Sequence, residues 1–161
     1  MTMTLGSRAM ARGILIDTNV LLYPYDPRDP EKQQRAGAVV DQLIEGGRAI
    51  LSVQCLSEFF SAATNRLPDR MTRGEALTRV RHLRRSCAVF DLTIDTMLEG
   101  ARAAVAHQLS IWDALIWAVA RLNDVRWVLT EDAEHGRVIE GVEYVNPFAP
   151  AFDPAAVGLS L

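Results

Sequence analysis

Apolar and polar positions fall in blocks along this chain, and the block lengths separate strands from helices. Gly13-Ile14-Leu15-Ile16 is a short run of apolar β-formers that meets Asp17, then Thr18-Asn19, then the apolar Val20-Leu21-Leu22. A continuous apolar run of this length suits a strand buried on both faces. Asp17 then stands at that strand's carboxyl end, where open α/β sheets place their ligands. Asp26-Pro27-Arg28-Asp29-Pro30 is a turn cluster. Within it Asp29 caps, and Pro30 opens, a helix running to about Glu45, which Gly46-Gly47 stops. Ala49–Ser52 predicts a second strand. Residues 53–66 predict a helix with Val53, Leu56, Phe60 and Ala63 on one face, ended by Leu67-Pro68-Asp69. Thr72 and Glu75 have capping-box spacing for an arginine-rich helix to Arg85. Residues 88–92 read as a third strand, and Thr93 caps a helix to about Gln108. A strongly apolar helix covers 111–123, and residues 127–130 form another strand. A loop over 131–141 leads to a last strand, Val142–Val145, and Asn146-Pro147 ends the regular structure.

Strands alternating with helices predict a mainly parallel sheet between helical layers. The helices outnumber the strands, so the expected fold is α/β: a three-layer α/β/α sandwich with an additional helical arm. No repeat, low-complexity stretch or linker divides the 161 residues. One domain is expected over 13–148, after a leader or disordered N-terminus at 1–12 and before a proline-bearing tail at 149–161 lying extended on the surface. No run approaches a membrane span, and the first ten residues lack the apolar core of a signal peptide. The chain therefore reads as cytoplasmic, with no membrane partner.

The net charge of −3 argues against a nucleic-acid partner, but its distribution changes the picture. Arginines 70, 73, 79, 81, 84 and 85 crowd one segment, interrupted by Glu75 alone among acids. Two readings stand: a solvated helix face, or a surface that tracks phosphates through bidentate guanidinium contacts. Cys55 and Cys87 have no second Cys or His at ligand spacing, which argues against a disulfide scaffold or a zinc site. The chain carries no Gly-x-Ser-x-Gly elbow, Walker loop or dinucleotide-binding glycine fingerprint.

Four acids stand where a core prefers apolar residues. Asp17 follows the first strand. Glu58 interrupts the apolar helical stretch Leu56-Ser57-Glu58-Phe59-Phe60, where a solvent-facing position is the plain alternative. Asp113 is the early charge of a helix that is apolar almost all round, and Ser110 three residues before it makes a capping box the alternative. Asp132 follows the strand at 127–130, where an ordinary loop acid, or its neighbour Glu131, is the alternative. Helix capping explains one acid at a time. A shared cation explains all four, because clustered carboxylates cannot all ionise near neutrality unaided. Oxygen-only ligands favour Mg²⁺ or Mn²⁺, and His82, His107 and His135 lack ligand spacing.

With these residues in view, the chain resembles PIN-domain ribonucleases, and among them the VapC-type toxins of bacterial toxin–antitoxin pairs. The resemblance runs through Ile16-Asp17-Thr18-Asn19-Val20-Leu21-Leu22-Tyr23, Ser57-Glu58-Phe59, Trp112-Asp113-Ala114-Leu115-Ile116 and Leu129-Thr130-Glu131-Asp132, with His135-Gly136 downstream and a closing segment from Gly141 to Phe148. It implies an endoribonuclease in which Asp17, Glu58, Asp113 and Asp132 bind one or two Mg²⁺ or Mn²⁺ and a metal-activated water hydrolyses RNA phosphodiesters, with Asn19 and Thr130 as polar supports. It implies a structured RNA substrate such as transfer or ribosomal RNA, a cognate antitoxin and a homodimer. A PIN nuclease of RNA processing, or a catalytically idle RNA- or protein-binding module, are the alternatives.

Overall fold

The computed structural model describes residues 13–161, so the expected leader at 1–12 lies outside the described residues. Strand β1 (Ile14–Ile16) is the centre of a six-stranded sheet, and its three side chains are fully buried. Each such aliphatic contributes about 1.5–3 kcal/mol by leaving water. Parallel β2 (Ala49–Ser52) and β4 (Trp127–Leu129) flank it, in the registers Ile14 to Ala49 and Ile14 to Trp127. Outside β2 lies parallel β3 (Ala88–Phe90); outside β4 lies parallel β6 (Val142–Val145), with antiparallel β5 (Val138–Ile139) at the far edge. Burial thins from β1 to β3, as expected when only the inner strands are covered on both faces.

The strand order β3-β2-β1-β4-β6-β5 reverses its direction of growth between β1 and β4. Chains leaving the carboxyl ends of two such strands diverge and open a crevice. The residues that follow β1 and β4 are Asp17 and Thr130.

Helices α1 (Thr18–Leu22), α2 (Pro30–Glu45), α3 (Val53–Asn65), α4 (Arg73–Ser86), α5 (Ile94–His107) and α6 (Ile111–Leu122) complete the three-layer sandwich. Their starts follow the local signals in the sequence. Asp29 accepts from Lys32 N with Pro30 in the first turn, and Ser52 caps α3. Thr72 and Glu75 form both bonds of a capping box. Helix α4 packs on α3 as the additional arm. Helix α6 is buried continuously from Ala114 to Ala120, and the indole of Trp117 donates to Ile139 O at 3.0 Å. Its first turn departs from the all-round burial expected, with Trp112 at 64% exposure. Helices α5 and α6 pack closely at Gly100, where an added Cβ would stand 3.1 Å from Leu115 Cδ2 and 3.3 Å from Ala114 O.

Two elements differ from expectation. Residues 18–22 form a short helix directly after β1, because Asp17 caps it. Five residues, apolar at their end, carry no distinguishing period. The expected loop over 131–141 contains β5, a two-residue edge strand held by β6 and by no pattern of its own. The tail at 149–161 departs too: expected to lie extended on the surface, it carries a 3-10 turn at Pro154–Val157 and buries Phe152, Val157 and Leu159 in the core. No single helix among the described residues is long and apolar enough to cross a membrane.

Candidate active site

Asp17 occupies two roles through one backbone position. Its N–H donates to Leu129 O at 2.9 Å, which ties the end of β1 to β4. Its Oδ1 accepts from Thr18 N at 2.7 Å as the cap of α1, so the capping alternative is realised. Its Oδ2 accepts from the Thr130 hydroxyl at 2.7 Å and more distantly from Asn19 Nδ2 at 3.4 Å. The residue is 7% exposed. Burial pushes its carboxyl up to about 6; the Thr130 and Thr18 bonds oppose this, and the charges of Asp132 and Glu58 add to it. The carboxylate is therefore short of positive charge.

Thr130 stands at the end of β4 with its N–H on Val145 O, buried. Its hydroxyl oxygen accepts from Asp132 N at 3.1 Å and from Asn19 Nδ2 at 3.2 Å. Asn19 also donates to Asp132 Oδ2 at 2.9 Å, so one amide bridges the residues after β1 and β4. The neighbouring acids at 131 and 132 part company here. Glu131 accepts from Lys32 Nζ at 2.7 Å and from the Tyr23 hydroxyl, and Lys32 lies over the Tyr23 and Phe148 rings. That bond to Glu131 holds the Lys32 ammonium firmly protonated. Asp132 turns the other way, toward Asp17.

Asp113 lies in the first turn of α6, where Ser110 Oγ accepts from its N–H and donates to its carboxylate at 2.7 Å. The Ser110 cap and a place on the pocket wall coexist in this residue, but the expected capping box is not completed, because the Asp113 carboxylate takes the Ser110 hydroxyl rather than its backbone N–H. Glu58, half-buried on α3, accepts from the Thr18 hydroxyl at 3.1 Å and from Gln54 Nε2 at 2.8 Å. It is close enough to raise the Asp17 carboxyl, but it does not line the same cavity. Gln54, which sequence reasoning passed over, also donates to Trp112 O at 3.1 Å and so ties Glu58 to the start of α6. Its signal was the i, i+4 spacing to Glu58.

Asp17, Asp113 and Asp132 line one cavity of about 210 Å³ at the crevice, together with Thr130, Arg137 and Tyr144. Arg137 and Tyr144 were not foreseen; Arg137 sits in the expected loop over 131–141 and Tyr144 in the closing strand. Among the described residues no lysine or arginine pairs with Asp17, Glu58, Asp113 or Asp132. Asn19 Oδ1, Gln54 Oε1 and Tyr144 Oη are buried without a hydrogen-bond partner. Each such group costs about 1–3 kcal/mol, and their concentration around the acids calls for an incoming polar group. No three acids, Cys or His among the described residues are close enough to share one ion as their side chains stand. A more open groove of about 600 Å³ runs along α2 beside Phe148 and holds none of the four acids. Two of its basic groups are committed, Lys32 to Glu131 and Arg35 to Pro147 O.

The family model for the PIN domain matches residues 14–140. No curated protein sequence matches. Among solved structures, a toxin–antitoxin complex from Klebsiella pneumoniae aligns with a TM-score of 0.61 at 18% identity, over 84% of this chain and 98% of its own. VapC20 of Mycobacterium tuberculosis, a toxin that cleaves the sarcin–ricin loop, aligns at 0.56 and 18%, over 72% and 87%. The FitAcB structure from Neisseria gonorrhoeae aligns at 0.57 and 22%, over 83% and 97%. At these identities the likeness is one of fold.

Proposed function

This chain belongs to the PIN-domain family, and on that premise we propose that it is a divalent-metal-dependent endoribonuclease, the toxin of a toxin–antitoxin pair. The observation that carries the reading is a buried Asp17 sharing one cavity with Asp113 and Asp132, with no lysine or arginine among the described residues ion-paired to any of the three. The donor set is anionic and oxygen-only, which fits Mg²⁺ or Mn²⁺. Asp17, Asp113 and Asp132 would hold the ion, with Glu58 supporting from behind Thr18. When bound, such an ion lowers the pKa of a water and offsets the charge that develops on a phosphodiester. Asn19 and Thr130 hold Asp17 and Asp132 in mutual register before substrate arrives, so less ordering is needed during the reaction. Hydrolysis by water leaves a 5′-phosphate and a 3′-hydroxyl.

Several surfaces support the remaining parts of the proposal. The six arginines between 70 and 85 are exposed, and among the described residues none forms an ion pair. Arg79 alone covers a ring, that of Tyr25. This charge suits an RNA backbone. A groove between α3 and α4, lined by Val53, Leu56, Phe60 and Val80, suits an apolar segment of an antitoxin. Helix α5 exposes Ile94, Leu98 and Val105 on the side away from Thr96, Gly100 and Ala103, and this stripe suits a second copy of the chain. Residues 13–148 are proposed as the nuclease unit.

Purified protein, free of any antitoxin, is incubated with total RNA and Mg²⁺ or Mn²⁺, with and without chelator. The expected result is chelator-sensitive internal cleavage with 5′-phosphate ends. Cleavage that persists in chelator, or products ending in a cyclic phosphate, overturns the reading.

A further inference from the structure

Tyr144 is an unexplained residue at this site. Its backbone N–H donates to Arg137 O at 2.9 Å and its carbonyl accepts from Gly136 N at 2.8 Å, so strand β6 pins it beside Arg137. The residue is 5% exposed, and its hydroxyl is buried without a partner. Buried tyrosine hydroxyls usually find a partner. This hydroxyl has none, although the residue that carries it lines the cavity that Asp17, Asp113 and Asp132 share.

The hydroxyl forms no bond to those carboxylates. Burial, with the charges of Asp113 and Asp17, pushes its pKa up to about 12, so near neutrality it is a donor. A donor among acids needs an acceptor from outside. Arg137 lines the same cavity, and its guanidinium forms no ion pair among the described residues. The pocket thus has an acidic wall suited to a cation and a donor wall of Tyr144 and Arg137 suited to an anionic oxygen.

We propose that Tyr144, with Arg137 beside it, donates to a non-bridging phosphate oxygen of the RNA backbone held in the acid pocket. This rests on the nuclease reading and adds a catalytic residue to it. The bond strengthens as charge accumulates on that oxygen, so it favours the transition state over bound substrate.

The test is Tyr144→Phe, which keeps the ring and removes only the hydroxyl. The expected result is a kcat lower by about 10- to 100-fold. RNA affinity in chelator should stay within about twofold of wild type. The metal-free melting temperature should equal or exceed wild type, because an unpaired buried donor has gone. An unchanged kcat, a loss confined to affinity, or a lowered melting temperature overturns the proposal; the last would reveal a partner for the hydroxyl inside the protein. Wild type and Asp17→Asn in the same assay separate the two readings. A chelator-sensitive wild type with an unaltered Tyr144→Phe sinks the Tyr144 role alone. An inactive or chelator-resistant wild type sinks the nuclease reading and this proposal with it.

Discussion

Removing the charge of Asp17 while keeping its shape should stabilise the metal-free protein and remove its activity. The carboxyl rises from 3.8 to about 6 in the folded state. A carboxyl with a raised folded-state pKa holds its proton more tightly folded than unfolded. Its cost is therefore nil below about pH 4, grows between about 4 and 6, and is complete above that. About two units correspond to about 3 kcal/mol. In Asp17→Asn the amide oxygen can still accept from Thr18 N, but the Thr130 hydroxyl oxygen already accepts from Asp132 N and Asn19 Nδ2, so the new amide cannot donate to it. The bond from the Thr130 hydroxyl is lost, about 1 kcal/mol. The net gain is about 2 kcal/mol near pH 7.5, or roughly 4–8 °C for a domain of this size. The assay is thermal melting in chelator at about pH 4 and about pH 7.5, where the linkage argument sets the contrast. The variant should melt higher near pH 7.5 and close to wild type near pH 4. Excess Mg²⁺ should then raise wild type, by about 2.7 kcal/mol at a hundredfold excess over Kd, and leave the variant unmoved. A variant no more stable than wild type near pH 7.5, or equally advantaged near pH 4, would refute the account of Asp17 as an uncompensated buried charge.

Two further predictions come from the packing around the pocket. Asp132→Asn should abolish chelator-sensitive RNA cleavage, whereas Glu131→Gln should retain it and lose about 1 kcal/mol in denaturant unfolding, from its bonds to Lys32 and Tyr23. The reverse pattern of cleavage would exchange the two acids. Gly100→Ala should cost about 1–3 kcal/mol, because its Cβ meets Leu115 and the Ala114 backbone, read as a lower melting temperature with both helices retained by circular dichroism.

The legible parts of the fold are those in which a local pattern carries its own physics. The apolar run at 14–16 reads as a strand covered on both faces because only such a strand tolerates it. Asp29-Pro30 and Thr72 with Glu75 mark helix starts because the bonds they make lie within one turn. Asp17, Glu58, Asp113 and Asp132 stand out in the sequence as charges amid apolar neighbours, yet only Asp17 is buried; Glu58 is half-buried and Asp113 and Asp132 are exposed to water. The parts that escaped notice have no such local mark. Helix α1 is too short to show a period, and β5 exists only as the edge partner of β6. Tyr144 reads as one more β-former in a closing strand, and nothing near it in the chain announces that it lines a cavity with its hydroxyl unpaired.

By itself, then, the sequence determined the alternating α/β architecture and the ends of most helices. The tertiary structure decided which side chains meet. It turned Glu131 toward Lys32, 99 positions away, and left Asp132 to Asn19 across 113 positions. It set Glu58 behind Thr18 and drew Gln54 to the start of α6. It placed Tyr144 and Arg137 in the same cavity as Asp17, Asp113 and Asp132. The division has one cause. Capping and hydrophobic periodicity act over three or four residues, whereas a pocket at a strand-order reversal is assembled from segments whose only common property is their position in the folded sheet.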